Sequence, residues 1–330
     1  MSPDVLVVGG AGFIGSALAR ELATSHQVRV LDDLSTGKAA NVEGVANVDL
    51  VVGSLLDRAL VAETFRGIDV VFHLACLGVR HSIHSPERNH EVNATGTLQL
   101  LEAARAAGVS RFVYTSTSEV YGTATSVPMP ETHPTLPHTV YGGSKLAGEA
   151  YVRAYHCTYG MPTVVLRPFN AYGPRSHHEG DSGEVIPKFI LRAMNGLPPL
   201  MFGDGTQTRD FTYVEDTARG IAAAAVAPAA IGATINLGSG LETPISELAA
   251  LVLEATGRGD VRAEHRPPRP GDILRLLADS RLAADLLGWR PTIDLGTGIA
   301  RLLDWHLEQG TDWQVLLDED RERNWERPTA

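Results

Sequence analysis

Residues 4–15 read DVLVVGGAGFIG, and this stretch determines the fold that we predict. Residues 4–8 are apolar and rich in β-branched side chains, which favours a buried strand, and apolar residues at helical spacing over positions 13–22 predict a helix directly after the glycines. A strand, a glycine-rich turn and a helix in this order place backbone N–H groups where they can bind a pyrophosphate. The N-terminus is therefore predicted to bind a dinucleotide.

The glycines of this stretch have separate roles in such a unit. Gly9 permits the tight turn after the strand, Gly12 lets the backbone approach the phosphates, and Gly15 lets the helix pack closely on the strand. A glycine triplet alone is a weak signal, because small residues also occur wherever helices pack closely. The flanking strand and helix patterns supply the context that favours the nucleotide site.

The second apolar run, residues 28–31, ends in Asp32. An acidic residue at this spacing accepts hydrogen bonds from the adenosine ribose and repels a 2′-phosphate, so we expect NAD rather than NADP. The alternative is that Asp32 and Asp33 only begin a solvated loop. The spacing from Gly15 favours the ribose contact.

Further buried strands are predicted at residues 48–52, 70–74 and 112–114, and they alternate with helical segments. This order predicts an α/β fold, a Rossmann-like doubly wound parallel sheet with a smaller C-terminal substrate-binding lobe. We place the NAD-binding domain at residues 1–168 and the substrate-binding lobe at 169–330, with some strands or helices exchanged between them.

Composition narrows the function. The chain has 330 residues, 44% of them hydrophobic, and a net charge of −11, which argues against nucleic acid as a partner. Apolar runs of membrane-spanning length and a leader peptide are both lacking, so we expect a cytoplasmic protein without a membrane partner. The two cysteines, Cys76 and Cys157, have no metal-ligand spacing, and we expect buried thiols and no metal.

Tyr141 and Lys145 stand four residues apart in the sequence YGGSK. On a helix, residues four apart lie on one face with their Cβ atoms about 6 Å apart, so we expect the Lys145 ammonium beside the Tyr141 phenol. A phenol has a pKa of about 10 in water, and a nearby cation favours its ionised form. We therefore expect Lys145 to lower the pKa of Tyr141 and to make Tyr141 a base. An exposed helix pair could show the same spacing by chance, so the interpretation depends on the other motifs.

The last stretch, residues 309–330, is acidic and then mixed in charge, with Trp313 and Trp325 as its few apolar anchors. Two interpretations stay open. It is either a docked terminal segment or partly disordered.

A series of motifs from Gly9 to about Arg290 resembles the extended short-chain dehydrogenase/reductase family, and within it the nucleotide-sugar epimerases, dehydratases and decarboxylases. The series is specific because of its order and spacing, although no single member would be. In chain order the motifs are GGAGFIGS from Gly9, DDLSTG from Asp32, HLA from His73, NATGT from Asn93, TSTSEVYG from Thr115, YGGSK from Tyr141, RPFNAYGP from Arg167, GDGTQTRDFTYVED from Gly203 and RPGD from Arg269.

The resemblance implies NAD as cofactor and a catalytic group of four residues, Thr117, Glu119, Tyr141 and Lys145. Tyr141 would remove the sugar O4 proton as hydride passes from C4 to the nicotinamide, Thr117 would share that proton, and Lys145 would hold the nicotinamide ribose. The cofactor-binding residues that it implies are Gly9, Gly12, Phe13, Ile14, Gly15, Asp32, Asp33, Ser35, Thr36, Gly37, Ser54, Leu55, Leu74, Ala75, Asn93, Tyr141, Lys145 and Pro168.

The second half of the chain is implied to bind a nucleotide-diphosphate sugar. Asn170 and Arg209 resemble the residues that contact the diphosphate, and Arg269 and Asp272 those near phosphate and nucleoside ribose; arginine suits phosphate because its planar group donates two hydrogen bonds at once. The full set of implied substrate-binding residues is Val79, Arg80, Ser118, Asn170, Val185, Lys188, Phe202, Gln207, Arg209, Arg269 and Asp272.

Two positions depart from the family pattern. Ser54 stands where relatives usually have an aspartate near the adenine, which weakens one contact. Glu119 matters more, because dehydratases and decarboxylases of the family often carry a glutamate here, whereas 4-epimerases need no acid at this point. The loop GVRHSI at residues 78–83 is similar to that of epimerases, and Ser118–Glu119 replaces the Asp-Glu pair of dehydratases. Glu119 could also only bond backbone at the strand end.

The sequence leaves several functions open. Our first hypothesis is a 4-epimerase of a UDP-hexose or UDP-hexuronate, with a decarboxylase or 4,6-dehydratase as the alternative. A catalytically silent NAD-binding regulator is disfavoured, because Thr117, Tyr141 and Lys145 are all present. Residues 86–107 and 140–159 carry apolar stripes, and the resemblance implies that this helix pair forms a homodimer interface.

Overall fold

The computed structural model describes residues 5–269 and 273–326. The strands are β1 (Val5–Val8), β2 (Val28–Asp32), β3 (Val48–Val52), β4 (Val70–His73), β5 (Arg111–Thr115), β6 (Thr163–Pro168), β7 (Asn170–Tyr172), β8 (Leu200–Phe202), β9 (Thr208–Arg209), β10 (Phe211–Tyr213), β11 (Thr234–Leu237), β12 (Thr243–Pro244) and β13 (Glu264–Arg266). The helices are α1 (Phe13–Leu22), α2 (Arg58–Thr64), α3 (Val79–His84), α4 (Pro86–His90), α5 (Gly96–Ala107), α6 (Val140–Tyr159), α7 (Val185–Met194), α8 (Val214–Val226), α9 (Ile245–Ala255), α10 (Arg281–Leu287), α11 (Leu295–Glu308) and α12 (Trp313–Asp318).

Seven parallel strands form the central sheet, in the order β11-β6-β5-β4-β1-β2-β3. The chain winds outward from β1 to β3 and then returns to place β4 on the other side of β1. The strand order therefore reverses between β1 and β4, and in open parallel sheets ligands bind at the carboxyl ends of the strands at such a point. The predicted doubly wound α/β fold is confirmed.

Helices cover both faces of this sheet, as the alternation of buried residues in β1 requires. Val5 and Val7 belong to a core cluster that includes residues of α1 and α8, whereas Leu6 and Val8 belong to a second cluster with residues of α2, α5 and α6. All four β1 residues are buried. This two-sided burial explains why β1 is continuously apolar and was recognisable from the sequence.

The second half of the chain builds a smaller lobe with a core of its own. Buried residues of α7, α9 and α11 form this third cluster, which includes Ile190, Leu248 and Leu302. One strand of this half, β11, pairs with β6 and so completes the central sheet. The boundary between residues 168 and 169 stays a prediction, with β11 as a strand that crosses it.

The structure shows where the two cysteines and the C-terminal stretch lie. The prediction that both cysteines are buried is wrong for Cys157, which is exposed near the end of α6, and Cys76 is half-buried.

The C-terminal stretch docks on the lobe as far as Glu326, since Trp313 packs on the third cluster and Trp325 contacts Phe202. Within the described ranges, every helix is too short or too polar to cross a membrane.

Candidate active site

A cavity of about 1040 Å³ runs along the carboxyl ends of the parallel strands and into the smaller lobe. Val8, Asp32, Thr115 and Pro168 line it at or near the ends of β1, β2, β5 and β6. This volume lies at the upper end of the usual range for a ligand site, which is about 300–1,000 Å³. Nearly all of the site residues that were predicted from the sequence, and that the structure describes, line this cavity.

The glycine turn after β1 has the close backbone packing expected of a dinucleotide site. Gly9 has a φ of +84°, a left-handed conformation that favours glycine, and a Cβ there would lie 2.5 Å from the Ala75 nitrogen. A Cβ at Gly15 would lie 2.0 Å from the Gly9 carbonyl oxygen. The N-terminus of the ten-residue helix α1 consequently approaches β1 and opens on the cavity.

Asp32 ends β2 inside this part of the cavity and is 8% exposed. Its carboxylate accepts hydrogen bonds from the Ala11 and Leu34 backbone nitrogens, each at 2.9 Å. Burial raises the pKa of Asp32, and these two hydrogen bonds oppose that rise. Asp32 is therefore a fixed, buried acceptor rather than part of a solvated loop, whereas the neighbouring Asp33 is exposed. The surroundings fit a ribose.

Tyr141 lies in the first turn of α6, which begins where the Thr139 hydroxyl accepts a hydrogen bond from the Gly142 nitrogen at 3.0 Å. The phenol lines the cavity and shares a hydrogen bond with Thr117, just beyond the end of β5. Burial raises the pKa of Tyr141 well above its ordinary value, the nearby Cys76 raises it further, and the hydrogen bond with Thr117 lowers it. The expectation of a lowered pKa is wrong for this structure.

Lys145 occupies the next turn of α6 and is fully buried. Its Nζ donates to the Thr115 carbonyl oxygen at 2.7 Å and lies 4.4 Å from the centre of the Tyr114 ring. Burial lowers the pKa of Lys145, and Cys76 and Glu149 oppose that change. The ammonium is thus held by β5 at the rim of the cavity, one helical turn from Tyr141.

Ser118 and Glu119 follow Thr117 in a short 3₁₀ turn, residues Ser118–Val120. The Glu119 nitrogen donates to the Thr117 hydroxyl at 3.2 Å, so this turn fixes the position of Thr117. Both residues line the cavity, and the charge of Glu119 is near enough to raise the pKa of Tyr141. A carboxylate and a phenol therefore face the same space.

The smaller lobe contributes polar groups suited to a diphosphate. Arg209 lies on β9 and donates through Nη1 to the Ile273 carbonyl at 2.7 Å, which orients its guanidinium along the cavity wall. Asn170, at the start of β7, also lines the cavity, and its Oδ1 is buried with no hydrogen-bond partner among the described residues. This oxygen is an acceptor, so it is available to a hydrogen-bond donor of a ligand, such as a hydroxyl group.

The cavity lining includes most of the predicted residues. They are Gly9, Gly12, Phe13, Ile14, Gly15, Asp32, Asp33, Ser35, Thr36, Gly37, Leu55, Leu74, Ala75, Val79, Arg80, Thr117, Ser118, Glu119, Tyr141, Lys145, Pro168, Asn170, Val185, Phe202, Gln207, Arg209 and Arg269.

Three predicted residues lie outside that lining. The Ser54 hydroxyl accepts a hydrogen bond from Leu56, and the Asn93 side chain is buried and bonded to Leu77, Asn89 and Ser144. Lys188 lies under the C-terminal segment, with its Nζ 2.9 Å from Asp320. These side chains support neighbouring segments. Asp272 lies outside the described residues.

Sequence reasoning missed several cavity residues, among them His177, Glu184 and Trp325. Glu184 precedes α7, and its Oε2 is buried without a hydrogen-bond partner in the described part of the chain. Burial raises the pKa of Glu184 to about 7, and the charges of His177 and Arg80 oppose the rise. None of the three belongs to a recognisable motif, so the sequence offered no signal for them.

In the described ranges, no group of three or more His, Cys, Asp or Glu side chains is arranged to hold a metal ion. The cavity instead joins a dinucleotide turn to a Tyr-Lys pair with a neighbouring threonine. That combination defines a nicotinamide-dependent enzyme acting on a hydroxyl group.

The chain belongs to the NAD-dependent epimerase/dehydratase family, whose model matches residues 5–238. UDP-glucose 4-epimerase of Mycolicibacterium smegmatis is 39% identical over 308 residues, which cover 91% of this chain and 97% of the relative. An epimerase structure from Methanothermobacter thermautotrophicus matches with a TM-score of 0.91 and 38% identity over 97% of this chain and 95% of that one. The dTDP-glucose 4,6-dehydratase of Streptomyces venezuelae, solved with NAD bound, matches with a TM-score of 0.88 and 34% identity over 95% and 99% of the two chains. NAD is the family's cofactor, and both epimerases and dehydratases occur among the relatives.

Proposed function

We propose that this protein is a NAD-dependent nucleotide-sugar 4-epimerase that acts on a UDP-hexose or a UDP-hexuronate, such as UDP-glucose or UDP-glucuronate. The observation that carries the proposal is the hydrogen-bonded pair of Thr117 and Tyr141, which faces the same cavity as the Gly9–Gly15 turn and Arg209. The 39% identity to a UDP-glucose 4-epimerase supports the choice of 4-epimerisation as the reaction and of uracil as the nucleobase of the substrate.

Each residue has a defined task in such a reaction. Tyr141 accepts the proton of the sugar O4 hydroxyl, and Thr117 shares that proton through its hydrogen bond. When bound, NAD supplies a reversible acceptor for the hydride that leaves sugar C4. Lys145 is positioned to hold the nicotinamide ribose. The resulting 4-keto sugar rotates and receives hydride on its other face, with the same proton returned by Tyr141.

The smaller lobe holds the nucleotide while the sugar turns. Arg209 and Arg269 line that end of the cavity and supply the positive charge that a diphosphate requires, although the chain as a whole is acidic. The Asn170 Oδ1 has no partner in the described residues, and as an acceptor it suits a donor of the ligand such as a hydroxyl group. Because the arginines bind the diphosphate and not the sugar, the sugar stays free to rotate while the substrate is held.

A second candidate function is a lyase on the same scaffold, either a UDP-glucuronate decarboxylase or a nucleotide-sugar 4,6-dehydratase. One observation favours it: Glu119 faces the cavity close to Tyr141. A carboxylate there could remove the C5 proton, which a 4-ketone acidifies. The 34% identity to a dTDP-glucose 4,6-dehydratase gives this candidate independent weight.

Product analysis tests both candidates. The NAD-loaded protein is incubated separately with UDP-glucose, UDP-galactose, UDP-glucuronate and dTDP-glucose, and the products are separated by chromatography. We expect the 4-epimer of at least one UDP-sugar. Release of carbon dioxide from UDP-glucuronate, or a 4-keto-6-deoxy product from a hexose, would show that the protein is a lyase and not an epimerase. An absence of every product would reject both candidate functions.

A further inference from the structure

Residues 319–326, which we call the strap, follow α12 and cross the smaller lobe to the cavity. Asp320 is 2.9 Å from the Lys188 Nζ, which also donates to the Arg321 carbonyl at 2.6 Å. The side chains of Lys188 and Asp320 are only 11% and 5% exposed, so this ion pair is largely shielded from solvent. The middle of the strap is therefore fixed to α7.

A second set of contacts holds the end of the strap. Asn324 is 1% exposed and donates through Nδ2 to the Gly183 carbonyl at 3.1 Å. Glu322 pairs with Arg266 at 3.0 Å. Gly183 belongs to the segment before α7, which itself lines the cavity through Ser182 and Glu184. The strap is consequently attached to the cavity wall rather than to a distant surface.

Trp325 is the residue that these contacts place in the cavity lining. Its ring lies edge-on to Phe202 with the centroids 4.9 Å apart and an angle of 85° between the planes. The Arg269 guanidinium lies 4.6 Å from the Phe202 ring centre and 5.1 Å from that of Trp325. One flat, conjugated group thus already lies against both aromatic rings.

We propose that Trp325, carried by the strap, forms one wall of the subsite that binds the nucleobase of the substrate. This inference rests on the proposed function, because a nucleotide sugar contains one flat conjugated ring, its base. Phe202 and Trp325 offer aromatic surface in the cavity that Arg209 also lines. Stacking on aromatic rings is the principal means by which proteins bind an unpaired base without reading its edges. Trp325 thereby makes the C-terminal segment a part of the substrate site.

Calorimetric titration of the NAD-loaded protein tests the proposal. The probe is whichever of UDP and dTDP binds more tightly, compared with its 5,6-dihydro derivative, in which saturation removes the flat conjugated ring. Trp325→Ala should weaken binding of the aromatic nucleotide about ten- to a hundredfold, the usual effect of losing one stacking partner. It should change binding of the dihydro derivative by less than about threefold.

Three further variants serve as controls. Trp325→Phe keeps an aromatic face and should restore most of the affinity, whereas Trp325→Leu keeps apolar volume without that face and serves if the alanine variant does not fold. Arg323→Ala alters an exposed residue of the strap that pairs with Glu326, and it should bind both probes like the unmodified protein.

The outcomes separate the subsite from the reaction. Unchanged affinity for the aromatic nucleotide in folded Trp325→Ala, or an equal loss for both probes, would overturn the stacking role. If either of these outcomes is found while the unmodified protein turns over a nucleotide sugar, only the stacking role of Trp325 fails and the proposed function stands. If the unmodified protein binds neither UDP nor dTDP, the proposed function fails first and the subsite fails with it.

Discussion

Tyr141 combines a half-buried phenol with a hydrogen bond to Thr117, and this combination determines when it can act as a base. Burial raises the pKa of Tyr141 well above 10.0, so the phenol carries its proton at neutral pH in this structure. A positively charged group next to the phenol would lower that pKa, and an oxidised nicotinamide ring carries such a charge. The base is therefore expected to become active only when cofactor and substrate are both bound.

Replacing Tyr141 by phenylalanine tests this role at the residue scale. Tyr141→Phe removes only the proton-accepting oxygen, so turnover should fall by about 10²- to 10⁴-fold while the affinities for NAD and substrate stay within about threefold. Steady-state kinetics and nucleotide titrations measure the two effects. Tyr159→Phe, at the exposed end of the same helix, is the control. Strong residual turnover in Tyr141→Phe would assign the base to another group.

Asp32 should determine the choice between NAD and NADP. Asp32→Ala removes a buried acceptor for the ribose, so the affinity for NAD should fall by about tenfold or more. It also removes the negative charge that would repel a 2′-phosphate, so the difference in affinity between NAD and NADP should become smaller. Fluorescence titration with each cofactor measures both changes. Asp49→Ala, an exposed aspartate on β3, is the matched control. An unchanged preference would show that another residue reads the ribose.

Glu119 separates the two candidate reactions. A 4-epimerase needs only the hydride and O4 proton transfers, so Glu119→Gln should slow it by less than about tenfold, or about 1.4 kcal/mol. A lyase that uses Glu119 as acid or base should lose about 10²- to 10⁴-fold. We expect the smaller effect in steady-state assays. A large loss with accumulation of NADH and a 4-keto sugar would overturn the epimerase proposal.

Residues within motifs could be placed from the sequence, whereas residues without a motif could not. Gly9, Asp32 and Tyr141 were assigned because their spacing relative to strands and helices reflects a requirement of the ligand. Glu184 and Trp325 reach the same cavity through tertiary contacts made far along the chain. The direction of the Tyr141 pKa shift was also missed, since burial depends on the completed fold.

At the scale of elements, α6 is joined to the central sheet by a buried charged cluster. Glu149 accepts hydrogen bonds from Arg167 on β6 at 2.9 and 2.6 Å and from Ser116 at 2.6 Å. Burial would raise the pKa of Glu149, but these hydrogen bonds lower it below its ordinary value. The carboxylate therefore fixes the helix that carries Tyr141 relative to the strand end that carries Thr117.

Removing this carboxylate should destabilise the protein strongly. Glu149→Ala leaves the Arg167 guanidinium buried without its partner, and the free energy of unfolding should fall by about 3–5 kcal/mol. Urea titration followed by circular dichroism measures the loss. Glu91→Ala, which breaks an exposed pair with Arg88, should cost less than about 1 kcal/mol. Equal effects of the two substitutions would contradict the anchoring role.

Strands were easier to predict than the helical stretch at residues 86–107. Apolar runs located β1, β2 and β3 to within one residue over the described part. β1 is apolar because it is buried on both faces, whereas β3 lies at the edge of the sheet and is half-buried to exposed, so the prediction of a buried strand at residues 48–52 is wrong in its burial. The continuous helical pattern of residues 86–107 instead contains a π-helical segment at Glu91–Thr95. Such wider turns are rare single turns inside α-helices, and they carry no composition or capping signal that sequence reasoning could use.

At the scale of the whole molecule, a net charge of −11 coexists with three arginines in the cavity lining, Arg80, Arg209 and Arg269. Acidic side chains such as Glu119 and Glu184 line the same cavity, so the lining as a whole is mixed in charge. An acidic chain disfavours long polyanions. A few arginines in a cavity can still bind a diphosphate through short, charge-assisted hydrogen bonds, so the local arrangement of charge indicates the ligand class better than the overall sum does.

The last prediction concerns the association of two chains. α5 and α6 pack side by side, and each carries a large apolar residue, Leu98 and Tyr151, that the core covers only partly. A twofold axis beside this pair would place the same apolar stripe of both chains in contact, which is the usual geometry of a homodimer. We expect light scattering at micromolar concentration to give about twice 35.3 kDa. Leu98→Arg should shift the mass toward the monomer, whereas Leu307→Arg, at an exposed position on α11, should not. A monomer mass for the unmodified chain would contradict the prediction, and a dimer unaffected by Leu98→Arg would place the interface elsewhere.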